Sequence, residues 1–185
     1  MKTILGIDPG TNILGFGVIR TEGSKAFYVE MGVIDMRKES DPYAKLTRIF
    51  NEIGEICDKY SPDEMALESP FYGKNAQVIL KLGRAQGLSM LAASTRGIPI
   101  TEYAPRKAKE AVTGNGAASK VQVNVILQRI LGIDIEEKFL DATDALAIAL
   151  CHHYQLLNPL AGLKSGSSWE KFIADNPGRV KSSSK

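Results

Sequence analysis

The chain has 185 residues, 44% of them hydrophobic and 24% charged, with 23 basic residues against 21 acidic ones. That length suits one core and a tail; no apolar run approaches the roughly 18 residues of a membrane span, and the N-terminus lacks the basic-then-apolar layout of a signal peptide, so a cytoplasmic protein is expected. Residues 161–185 hold five basic and two acidic residues, which leaves 18 basic and 19 acidic residues in the first 160, so any nucleic-acid affinity of the body has to come from local patches and not from global charge.

Three strand patterns come first in the chain: an apolar run over 3–8 that ends at Asp8, an apolar stretch over 13–20 with Gly15 and Gly17 interleaved, and 26–35 after the "TEGSK" turn. A helix is expected over 43–59, where Leu46, Ile49, Phe50, Ile53, Ile56 and Cys57 recur at spacings of three and four. "EMALES", residues 64–69, reads as a short strand, followed by a long helix over 75–95 capped by Asn75. "GIPITEY" predicts a strand over 98–103, and helices follow over 105–113, 119–131 and 140–156. Short turns allow the first three strands to form an antiparallel meander, whereas the later strands are reached through helices and should be parallel. The expected fold is therefore α/β, a mixed five-stranded sheet with helices on both faces. One domain over 1–157 and a basic, flexible tail over 158–185 complete the organisation. Cys57 and Cys151 belong to no CxxC or zinc spacing and read as buried reduced thiols. His152 and His153 close the last helix, where histidine commonly interacts with the carboxyl end, and neither is assigned as a ligand.

Four acids lack an evident structural reason. Asp8 ends the first strand, in "GIDPGT", and Glu68 ends the "MALE" strand. In a parallel α/β sheet ligands sit at the carboxyl ends of strands, so these two acids can share one edge. Asp141 and Asp144, in "FLDATDALAIAL", are three residues apart and would project from one face of a helix whose other positions are apolar. Four gathered carboxylates repel and raise one another's pKa. A divalent cation relieves that repulsion, and oxygen-only ligands favour Mg²⁺ or Mn²⁺ over zinc. Two such ions about 4 Å apart would clamp a phosphodiester for in-line attack by water. Singly, each acid could still be a turn, edge or capping residue.

"GIDPGT", "ALE" followed by an aromatic loop, "KNAQVILKLGRAQG" and "DATDALAIAL", in that order from residue 3 to about 155, resemble the RuvC family of Holliday junction resolvases. The resemblance implies a ribonuclease H-like fold, a homodimer with two Mg²⁺-dependent active sites (two ions per site, Mn²⁺ as a substitute), and symmetric nicking of four-way junction DNA in recombination and repair. The cuts would leave 5′-phosphate and 3′-hydroxyl ends. It places the catalytic, metal-binding acids on Asp8, Glu68, Asp141 and Asp144, with Asp8 facing both ions, and it implies a RuvA–RuvB branch-migration partner. Pro9 then fixes φ, and Gly10 lets the chain turn away without filling the site.

Two stretches are candidates for DNA contact. "APRKAKEAVTGNGAASK", residues 104–120, carries Arg106, Lys107, Lys109 and Lys120 against one acid, Glu110. It could be a solvated face, but the resemblance puts DNA-contacting lysines at Lys109 and Lys120. "SPFYGKN", residues 69–75, exposes Phe71 and Tyr72 unless they tuck under the long helix; the resemblance favours Phe71 as a wedge stacking on unpaired bases. The helix after this loop is more apolar than one sheet face needs, which fits a dimer seam. Two other functions compete. "DPGT" imitates the phosphate turn of an actin-like ATPase lobe, but the chain is short for two lobes and has no second phosphate loop. A catalytically dead junction-binding module would not need all four acids. The tail, with Trp169, suggests no role.

Overall fold

The structure, a computed structural model, describes residues 1–69, 75–135 and 142–158. Strands β1 (Lys2–Asp8), β2 (Ile13–Glu22) and β3 (Lys25–Asp35) precede helix α1 (Pro42–Tyr60), and β4 (Glu64–Glu68) precedes α2 (Ala76–Ser94). β5 (Ile100–Tyr103), α3 (Pro105–Thr113), α4 (Lys120–Leu131) and α5 (Thr143–Leu157) follow. The five strands form one sheet in the order β3-β2-β1-β4-β5. The β1–β2 and β2–β3 pairs are antiparallel, and β1–β4 and β4–β5 are parallel, the mixed sheet that the turn lengths and crossover helices predict.

Local chemistry sets the helix ends. Asn75 caps α2 through Gln77 and Val78, as the sequence predicts, and Asp41, which the sequence reading did not name, caps α1 by accepting from the backbone N–H of Tyr43 and Ala44. Ser119 and Gln122 form a reciprocal capping box at the start of α4. α5 spans Thr143–Leu157, with Ala142 as its N-cap and no side-chain capping bond. Residues 140 and 141 lie outside the described residues, as do the aromatic loop carrying Phe71 and Tyr72 and the tail from 159 onward.

Alternation along β1 divides the core in two. Leu5 and Ile7 face α1 and α2, packing with Ile49, Ile53, Met65, Leu67 and Ala92. Ile4 faces the other way, with Ile19, Ala66, Tyr103, Leu127, Leu146 and Leu150, against α3, α4 and α5. α5 is buried almost all round, as a helix without a polar face must be. It sits very close to β1. A Cβ on Gly6 would lie 2.0 Å from the Ala145 carbonyl oxygen and 2.9 Å from the Ala149 nitrogen, so the absent side chain of Gly6 is what admits the helix.

The two histidines depart from expectation. Both are 2% exposed and reach the sheet side, not the helix end. The Tyr103 hydroxyl donates to His152 Nδ1 at 2.7 Å, and His152 Nε2 donates to Glu64 Oε2 at 2.8 Å. Lys2 completes the chain with an ion pair to Glu64 at 2.5 Å, while His153 Nε2 donates to the Ser24 carbonyl at 3.2 Å. These bonds satisfy polar groups that burial would otherwise leave unpaired. Cys57 and Cys151 are free and buried, as expected, and burial pushes both thiols up to about 11. Among the described residues no helix is long and apolar enough to cross a membrane.

Candidate active site

The site is assembled at the carboxyl edge of the parallel part of the sheet. Gly6 and Ile7 lie opposite Ala66 and Leu67 in register, so the strands end with Asp8 beside Glu68. Period-2 alternation turns both carboxylates to the face carrying α5, since Gly6 and Ala66 precede them by two. Gly10 continues the turn beyond Asp8: a Cβ there would lie 1.7 Å from the Ile13 carbonyl oxygen. α5 supplies a third acid. Asp144 is in its first turn, where the N-terminal end of the helix dipole favours negative charge, and its neighbour Ala145 is the residue pressed against Gly6.

The electrostatics of Glu68 report on the whole group. Its carboxyl is pushed up to about 8, first by burial, then by the negative charges of Asp8 and Asp144, with Lys109 and Lys120 opposing the rise. These five side chains therefore act on one small volume. Lys120 is the first residue of α4, a position where the helix dipole disfavours a cation. Its ammonium is held by Asp144, Nζ to Oδ2 at 2.9 Å. Among the described residues no three His, Cys, Asp or Glu side chains are gathered closely enough to hold an ion as they stand.

The basic stretch divides. Lys109 and Lys120 face the acids. Arg106 is exposed and lies across the turn between α3 and α4, where a Cβ on Gly116 would meet its Cγ at 2.5 Å. Lys107 places its ammonium 5.4 Å from the Tyr103 ring centre. Neither is among the charges that chiefly set the Glu68 carboxyl. Asp141, Phe71 and Tyr72 lie outside the described residues. The sequence reading missed Gly6, although a signal was present: a glycine in a buried strand opposite an alanine-rich helix marks close backbone approach.

Residues 4–152 match the family described as crossover junction endodeoxyribonuclease RuvC. The chain belongs to the RuvC family. The RuvC of Bacteroides fragilis is 54% identical over 97% of this chain and 96% of its own length. That of Porphyromonas gingivalis is 48% identical over 97% of both chains. Among solved structures, Thermus thermophilus RuvC in complex with a Holliday junction substrate has a TM-score of 0.79 and 30% identity, covering 85% of this chain and 96% of that one. The yeast mitochondrial resolvase Ydc2, with a TM-score of 0.59 and 17% identity over 81% of this chain and 77% of its own, shares the fold. The ribonuclease H-like expectation thus holds, and Asp8, Glu68 and Asp144, which influence one another electrostatically, all lie within the part of the chain that matches RuvC.

Proposed function

We propose that Asp8, Glu68, Asp144 and Asp141 form the metal-binding catalytic centre of a Holliday junction resolvase. Membership of the RuvC family makes the chain an endodeoxyribonuclease acting at crossover junctions. The residue roles rest on one observation above all: Glu68 is held near pH 8 by burial and by two neighbouring carboxylates. Negative groups so arranged destabilise one another unless a cation is added, and an all-oxygen donor set suits Mg²⁺, with Mn²⁺ as a substitute. Bound there, two ions would supply positive charge to the scissile phosphate and lower the pKa of the attacking water. Lys120 partly fills that electrostatic role at Asp144 and would pass to a DNA phosphate once Asp144 serves as a ligand. Lys109 would hold a second phosphate nearby. Phe71, with Tyr72 beside it, would stack on unpaired bases at the crossover.

A four-way junction has two strands to cut, and a two-fold dimer presents two identical sites. α2 offers the seam: Leu80 and Leu91 are 59% and 47% exposed, and nothing lies within 4 Å of a Cβ placed on Gly83 or Gly87 between them. Spacings of three and four put these residues on one face. The homodimer would nick the two strands symmetrically, leaving 5′-phosphate and 3′-hydroxyl ends, in the cytoplasm and in concert with a RuvA–RuvB motor.

The metal assignment is tested by stability against pH. Glu68 has a folded pKa of about 8, against 4.5 ordinarily. The folded state therefore keeps a proton that the unfolded chain releases, and the stability this gives is complete below about pH 4.5 and lost as pH rises to about 8. The loss should be roughly 2–4 kcal/mol, or about 5–10 °C in melting temperature. Excess Mg²⁺, or Glu68→Gln, should abolish most of the fall. A fall that Glu68→Gln removes but excess Mg²⁺ leaves unchanged would rule out a metal at Glu68.

A further inference from the structure

We infer that the cleft between α1, α2 and the β1–β2 turn is a second phosphate site, which takes a backbone phosphodiester of bound DNA close to the strand being cut. The inference rests on the resolvase reading for the identity of the DNA, but not for the chemistry of the cleft. The cleft has a volume of about 400 Å³, with Thr11, Asn12, Ser40, Lys45, Lys81 and Arg84 among its lining residues and, among the described residues, no acidic side chain. Three cations share this space. Among the described residues none of them has a carboxylate partner, whereas Lys2, Arg37, Arg48, Arg96 and Lys120 are each paired with an acid. Gathering like charges without a counter-charge is unfavourable, and an anion in the cleft would relieve it.

The cleft is also built to hold the charge in place. Lys45 Nζ donates to Asn12 Oδ1 at 2.9 Å, which ties α1 to the β1–β2 turn and aims the ammonium. The N-terminus of α1 is already satisfied by the Asp41 side chain, so binding would fall to the three cations and to the hydroxyls of Thr11 and Ser40. Thr11 and Asn12 follow Asp8 by three and four residues, which limits their separation from it to roughly 10–14 Å. The cleft and the acids lie on opposite faces of the sheet and meet at its carboxyl edge. A DNA strand crossing that edge would place one phosphate at the acids and another, a short way along, over Lys45, Lys81 and Arg84.

Salt titration of DNA binding decides the matter. The affinity of the full chain is measured on a labelled four-way junction and on a linear duplex. The proteins are the wild type, Lys81→Ala/Arg84→Ala, and Arg20→Ala/Lys25→Ala, which removes equal charge at the far end of the sheet. All four side chains are exposed, so melting temperature should be unchanged; because Arg84 is four residues from Leu80 on α2, the slopes are compared between preparations of the same measured oligomeric state. Each lost phosphate contact lowers the log–log salt slope by about 0.9; the cleft pair, which would hold one phosphate, should lower it by about that amount and the distant pair should leave it as it was. An unchanged slope in the cleft pair, or an equal fall in both pairs, overturns the proposal. If the wild type prefers no junction over duplex, the resolvase reading fails, and the slopes on duplex still decide the cleft.

Discussion

Replacing Asp8 with asparagine should lower the rate of junction cleavage by roughly a thousandfold or more and leave junction binding essentially intact. The substitution keeps the shape of the side chain and one carbonyl oxygen. It removes the negative charge from the end of β1, the middle strand of the sheet, where Asp8 adjoins Glu68. Binding persists on the proposed reading because cations would hold the DNA: Lys109 and Lys120 beside the acids, with the α1–α2 cleft beyond. A side result identifies the cause. Asp8 is one of the two charges that raise the Glu68 pKa, so Glu68 in the variant should titrate lower than in the wild type. Cleavage at the wild-type rate in saturating Mg²⁺ would remove Asp8 from the catalytic centre.

Gly6→Ala should destabilise the fold and disable the site together. The new Cβ would stand 2.0 Å from the Ala145 carbonyl oxygen and about as close as backbone permits to Ala149. Both neighbours belong to the α5 backbone, which no side-chain rotation can move aside, so the helix itself must shift. Overpacking of this kind costs about 1–3 kcal/mol or more, a fall of roughly 3–10 °C in melting temperature. The displacement carries Asp144 with it, and misplacement of about 1 Å at a reacting centre costs on the order of a hundredfold in rate. Thermal denaturation and cleavage rate, measured on the same preparation, check both. A variant as stable and as active as the wild type would show that α5 does not need its close seat on β1.

The elements legible in the sequence were those with a clear local period. β1 to β3 are apolar stretches separated by short turns, α1 repeats its apolar residues every three or four, and Asn75 precedes α2 as a cap. The start of α5 was less legible: "DATD" contains no breaker, so nothing local marks Thr143 as its first residue. The acids were legible because a carboxylate ending an apolar strand costs solvation wherever it is unpaired. The histidine contacts were not, since the partners of His152 are Tyr103 and Glu64, 49 and 88 residues away. The same limit hid the α1–α2 cleft. Lys45, Lys81 and Arg84 form no run in the chain, and only the packing of α1 on α2 brings them together.

Cutting of four-way junctions through a metal held by the acids at the sheet edge is the proposed activity. Its most direct test is to incubate an end-labelled synthetic junction and a linear duplex of the same sequence with the protein, with and without Mg²⁺, and to map the cut positions and their ends. The predicted result is paired, symmetric nicks near the crossover of the junction alone, bearing 5′-phosphate and 3′-hydroxyl ends, with no product when Mg²⁺ is chelated. Equal cutting of the duplex, or undiminished cutting in chelator, would contradict it.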